Sequence, residues 1–284
     1  MAKRDFSDWA IEKTLFVFAL SAISGLALIA IFILHEGLPV ILDQGLGGFV
    51  LSTTWEPLNG RFGIGAMILG SVAVTLGALV VGVPIGLASA ITLCEFCPAG
   101  PARILKSMIE LLAGIPSVVY GFIGVVVLVP LIRVRLGGPG MSVLASSIVL
   151  GIMILPNVVS ISMDAIRAVP QSYREGSIAL GATRWQTVHR VVLKAARSGI
   201  VAAIILGMGR AVGETMAVIM VAGNAVQVPG SPLDSVRTLT SNIALEMGYA
   251  AGVHRKALFA TGIVLFVMIM ILNSVATWAS KRRT

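Results

Sequence analysis

Arg210 and Glu214 stand four residues apart inside the apolar stretch 200–222. A charge in hydrocarbon costs roughly 2.5–3.5 kcal/mol on insertion scales. Two in one span point to use. On a continuous helix the i, i+4 spacing lets guanidinium and carboxylate meet on one face. The guanidinium offers a planar fork that matches oxyanions and stays charged at any working pH. These residues alone leave two readings open. The pair lines a path for an anion, or it is a buried ion pair that only fixes helix packing. Thr215 and Asn157 are further polar groups within spans, and they either face such a path or hydrogen-bond across helices.

Other reactive residue types form no constellation. Cys94 and Cys97 form a Cys-Glu-Phe-Cys run. It lacks the βαβ surroundings of a redox motif, and two thiols fall short of the four ligands of structural zinc. His189 and His254 have no ligand-spaced partners. No nucleophile–base pair lies in a span, which argues against a membrane-embedded enzyme.

These residues sit in a membrane chain. Of its 284 residues, 57% are hydrophobic and 12% charged, and the mean hydropathy is +0.96. Soluble domains average about 25% charged residues. The formal charge of +8 is spread over short loops and tails. That fits the basic bias of cytoplasmic loops better than nucleic-acid binding.

Six apolar segments emerge, at about 14–34, 64–93, 110–132, 142–163, 199–223 and 257–279. They predict an all-α integral membrane protein with six transmembrane helices. Residues 1–13 form a cytoplasmic N-terminal segment and 14–284 one transmembrane domain. The first apolar run is too long for a signal-peptide core and has no cleavage site after it, so it is an uncleaved span. Pro84, Pro116, Pro130 and Pro156 are expected as kinks rather than boundaries. Glu110 is expected at the start of the third helix, where a carboxylate suits the dipole. The many Gly and Ala residues in 64–90 suit close helix packing. With both termini cytoplasmic, fourteen Lys and Arg fall inside and six outside, although Arg133 and Arg135 run against that trend.

Two loops are long. The outer one, 224–256, predicts a short helix near 234–247. The cytoplasmic one, 164–198, reads as a short amphipathic helix, suited to lie on the membrane or to dock into a partner. Gly181 in its middle weakens a helix, and a turn or a close backbone approach explains it.

At this loop the chain resembles the permease subunits of ATP-binding-cassette importers. Their signature is Glu-Ala-Ala, three residues, Gly, nine residues, then Ile-x-Leu-Pro. Glu175 and Gly181 keep the spacing, and Val191 and Leu193 fill the later apolar positions. Gly176 and Ser177 replace the two alanines, and Lys194 replaces the proline. The segments 113–121, 165–170 and 209–217 resemble phosphate permeases, the last of them the PstC type. The resemblance covers nearly all of the chain from about residue 60.

The resemblance implies a type I importer permease fold. It implies a sibling permease subunit of the PstA type, two ATP-binding-cassette ATPase subunits, and an extracytoplasmic phosphate-binding protein. Membrane lipid surrounds the chain, which sits in the cytoplasmic membrane. Glu175, Gly176, Ser177, Ala179, Gly181, Ala182, Arg184 and Trp185 would form the coupling loop that meets the ATPase. The chain has no Gly-x-x-x-x-Gly-Lys-Ser/Thr, so no cofactor is expected in it, and ATP and Mg²⁺ belong to the partner ATPase. Arg210, Glu214, Thr215 and Asn157 would face the phosphate path. Permeases for sulfate, molybdate or an organic solute share the architecture. A stand-alone secondary transporter is the more distant alternative, and it would call for inverted repeats that are not visible.

Overall fold

A computed structural model describes residues 6–281. Lys3, Arg4, Arg282 and Arg283, counted above for orientation, lie outside the described residues. The chain opens with α1 (Phe6–Leu46), which holds Pro39 and leaves the helical conformation at Gly45. Its apolar side chains are exposed almost throughout, as in a helix that faces lipid. A π-helical turn, Gly47–Leu51, leads to a small hairpin of β1 (Trp55–Glu56) and β2 (Arg61–Phe62). Next come α2 (Gly65–Ile91), extended by a π turn over Thr92–Phe96, and α3 (Ala99–Ala113). Then α4 (Ser117–Ile123) passes through a π turn into α5 (Val129–Leu136).

The second half begins with α6 (Val143–Arg167), capped by the Ser142 hydroxyl, which accepts from the Ala145 amide at 3.2 Å. The loop that follows holds α7 (Gln171–Ala179), α8 (Arg184–Thr187), a π turn over Val188–Val192, and α9 (Leu193–Ala195). After it come α10 (Arg197–Gly213), α11 (Met216–Val221), α12 (Leu239–Glu246) and α13 (Gly252–Lys281).

Among the described residues five helical runs are long and apolar enough to cross a membrane. The count is six when Arg184–Ala195 with Arg197–Gly213, bent by 69°, is taken as one broken span. The six-span expectation agrees with that upper count.

The centre of the molecule is the contact between α2 and α6. A Cβ on Gly82 would lie 2.7 Å from the Gly151 carbonyl, and one on Gly86 would lie 2.8 Å from Val158. Small residues let the two backbones approach this closely. Leu150, Ile154 and Val158 of α6 are fully buried there. The same α6 residues also meet α10, with Gly207 facing Val158 and Ile154. Outside this core α1 packs on α13, with Gly37 against the Ala260 backbone and Phe32 edge-on to Phe259 at 5.4 Å.

The third apolar segment departs from expectation. The helix breaks at 114–116, so Pro116 is a boundary and caps α4 with ψ 140. A residue before proline avoids the α region, which makes Ile115 a poor helix position. Pro84 and Pro156 stay inside α2 and α6 as expected. Glu110 falls in the last turn of α3 rather than at a helix start. It lies 3.4 Å from Lys106, which offsets its charge at the negative dipole end.

Candidate functional site

The fifth span does not run as one helix. Arg210 lies in the last turn of α10, which ends at Gly213. Glu214 adopts an extended conformation (φ −70, ψ 130), and helix resumes at Met216. The i, i+4 geometry that would pair Arg210 with Glu214 is therefore lost. Glu214 instead turns forward, and its Oε1 accepts from the Ala217 amide at 3.2 Å. The Thr240 hydroxyl donates to the Glu214 carbonyl at 3.0 Å. Thr215 donates to the Gly213 carbonyl at 3.3 Å. A helix break at membrane depth requires such partners for its freed backbone groups.

Arg210 is left half-buried, and among the described residues no carboxylate lies within 4.0 Å of it. The Tyr120 hydroxyl donates to the Leu112 carbonyl at 2.7 Å and so spans the break before α4. The two breaks share one level. Gly121 packs against Ala217, and Gly124 against Val221, so α4 and α11 run parallel. Four residues back from each member of the first pair are Ser117 and Gly213. Asn157 is half-buried on α6, and no hydrogen bond joins it to Arg210, Glu214 or Thr215. Tyr120 was missed from the sequence, although a lone phenol among valines was its signal.

The short outer helix starts later than expected, at Leu239, because the Thr238 hydroxyl caps it and accepts from Ser241 at 3.3 Å. It is tucked inward. Leu239 to Asn242 are buried, and the Leu239 amide donates to Ser71 on α2 at 2.9 Å. At its far end the buried Glu246 carboxylate collects three donors. They are Arg237 at 2.7 Å, Trp55 at 2.9 Å and His254 at 2.8 Å. This network ties the hairpin, α12 and α13 together. Trp55 and Glu246 are 191 residues apart, beyond any local pattern.

The 164–198 loop is a helix–turn–helix. Gly181 has φ +85, and a Cβ there would meet nothing within 4 Å. The turn, not a close approach, is thus its reason. Thr183 and Gln186 form a capping box that starts α8. Glu175 and Gly176 are exposed on α7, Ala179 ends it, and Ala182 lies in the turn. The Ser177 hydroxyl meets that of Thr187 at 2.9 Å and braces the two arms. Leu180 is 91% exposed, beside exposed Tyr173, Ile178 and Trp185. Four large apolar groups on one short loop exceed what a solvated turn requires.

A buried ion pair anchors this loop. Arg174 donates to Glu95 at 2.8 Å and to the carbonyls of Ile166 and Val169. Arg184 donates to the Glu95 carbonyl and lies over the Phe96 ring at 5.3 Å. Glu95 belongs to the Cys-Glu-Phe-Cys run, whose carboxylate matters here more than its thiols. Past the loop the chain bends by 69° at Ala196, two residues after the Lys194 that stands in place of the proline.

Residues 82–284 match the family described as the binding-protein-dependent transport system inner membrane component. A probable ABC transporter permease protein of Bacillus subtilis, YqgH, is 44% identical over 272 residues, covering 93% of this chain and 88% of that protein. The phosphate transport system permease protein PstC of Mesorhizobium japonicum is 35% identical over 255 residues, covering 82% and 78%. The fold is similar to a chain of a bacterial alginate ABC transporter crystallised with its periplasmic protein. The TM-score is 0.66 at 15% identity, over 99% of both chains. A tucked outer helix, a broken fifth span and an anchored helix–turn–helix suit a subunit that conducts a solute and leaves hydrolysis to a separate ATPase. The chain belongs to the binding-protein-dependent transport system inner membrane component family, as the membrane-spanning permease subunit of an ABC importer.

Proposed function

We propose that this permease subunit carries inorganic phosphate, as a PstC-type partner of a PstA-type sibling. Two ATPase subunits and an extracytoplasmic phosphate-binding protein complete the importer. The observation that carries this reading is Arg210, a half-buried guanidinium with no carboxylate partner beside the break in the fifth span. An uncompensated cation at that depth is costly, and a passing anion offsets the cost. Its fork matches two phosphate oxygens. Glu214, on the other side of the break, accepts a hydrogen bond from a phosphate hydroxyl. Fully ionised sulfate has no such proton to give and is repelled.

The same reading makes the 164–198 loop the ATPase contact, with Glu175, Gly181 and Trp185 on the docking side and both termini cytoplasmic. Tilting of the Arg174–Glu95 anchor would then reach Arg210 through α10. Uptake of radiolabelled phosphate by the reconstituted importer, challenged with sulfate and arsenate, tests the substrate. Arsenate, protonated like phosphate, is expected to compete, and sulfate is expected to leave uptake unchanged. Transport of sulfate in preference to phosphate would overturn the reading.

A further inference from the structure

The loop side of the molecule carries two adjoining hollows, and the transport reading uses only the loop anchor that lines the first. One, of about 610 Å³, is lined by Glu95, Arg167, Arg174 and Arg184. The other, of about 500 Å³, is lined by Arg103, Lys106 and Arg167. Cys94 and Arg167 belong to both. Glu95 is the one carboxylate that lines either. It is already committed, with its carboxylate on Arg174 and its carbonyl on Arg184.

The second hollow therefore gathers three cations from α3 and α6 without a carboxylate in its wall. Lys106 has Glu110 at 3.4 Å, but that acid is 51% exposed, and such pairs bind weakly. Asp164, one turn before Arg167 on α6, is exposed and forms no ion pair with it. Arg103 and Arg167 have no carboxylate within 4.0 Å among the described residues. Arg103 and Arg167 are exposed, so water screens them in the open cleft, and an anion that enters meets three charges with no carboxylate lining the cleft beside them.

We infer that this cleft is a binding site for a phosphoryl anion, held by the guanidiniums of Arg103 and Arg167 and the ammonium of Lys106. Two planar forks and one point charge can take all the peripheral oxygens of a phosphate group. Two sources share that chemistry: the headgroup of an acidic phospholipid, and free inorganic phosphate. The apolar Ile104, Met108 and Leu111 on the open side of α3 are 65%, 59% and 74% exposed, and they suit acyl chains. An anion there would bridge α3 to the end of α6, next to the Glu95–Arg174 anchor of the loop.

Two binding measurements on the purified importer complex test this site without requiring transport. The first is retention of phosphatidylglycerol relative to phosphatidylcholine after detergent exchange. The second is equilibrium binding of radiolabelled phosphate in phosphatidylcholine nanodiscs, with Arg210→Gln present so that the proposed path does not contribute. Both are compared with and without the pair Arg103→Gln and Arg167→Gln. Loss of about tenfold or more in lipid retention identifies the headgroup, and the same loss in phosphate binding identifies the free ion. The pair Arg103→Lys and Arg167→Lys keeps both charges and is expected to retain at least about a third of the binding. If neither probe distinguishes the unaltered complex from the Gln pair, or if the Lys pair binds no better than the Gln pair, the site is overturned.

Discussion

At the residue scale the arrangement turns on which charges are paired. Glu95 and Arg174 are paired and nearly buried, at 10% and 16% side-chain exposure. Removing one partner of such a pair strands the other. Glu95→Gln is expected to destabilise the complex by about 3 kcal/mol, seen as a lower midpoint in thermal unfolding, and to weaken ATPase stimulation. An unchanged midpoint would show that the two carbonyls suffice for Arg174. Glu214 has the opposite character, since its carboxylate serves a backbone amide. Glu214→Gln keeps an oxygen for the Ala217 amide, so the chain should still assemble. With the repulsive charge gone, sulfate should inhibit phosphate uptake roughly tenfold better, about the worth of one charged hydrogen bond. The positions of Arg210 and Glu214 were legible because charge in an apolar run stands out. Their separation was not, since a Gly-Glu-Thr break carries no proline and depends on Thr240, which lies 26 residues further on.

At the element scale, breaks and turns position the site. The expected helix in the 164–198 loop is present, but as two arms about Gly181. Its left-handed backbone costs any side chain roughly 1–2 kcal/mol. Gly181→Val should misplace α8, with Trp185 on it, and reduce co-purification of the ATPase. Asn at this position tolerates positive φ and should retain most of it. If both variants bind the ATPase like the unaltered chain, the loop is not the contact. The motif spacing made this loop legible, and the positive φ was foreshadowed by the glycine itself. The Glu95 anchor was not legible, because 79 residues separate it from Arg174. The break at 114–116 was not read from the sequence, where Pro116 was expected as a kink, because the apolar run around it reads as one segment. Hydropathy averages over backbone breaks whose freed groups are satisfied by neighbouring helices.

At the scale of the whole molecule, six spans leave two distinct faces. One carries the hairpin, α12 and the Glu246 network, and the other carries α7, α8 and the basic cleft. In the proposed importer the second face meets the cytoplasm, as the Lys and Arg bias predicts. Leu58, fully exposed at the hairpin tip, is expected to react as Leu58→Cys with an impermeant thiol reagent in intact cells. Leu180→Cys should react only after permeabilisation, both in a background lacking Cys94 and Cys97. The opposite labelling would invert the molecule. The central claim joins all three scales, since Arg210 stands beside the helix break, in the last turn of α10, which follows the loop. Uptake of radiolabelled phosphate by the reconstituted Arg210→Gln importer tests it most directly. Loss of a bidentate charged contact predicts uptake lower by about tenfold to a hundredfold, with assembly and basal ATP hydrolysis retained. Uptake equal to that of the unaltered importer would contradict the account.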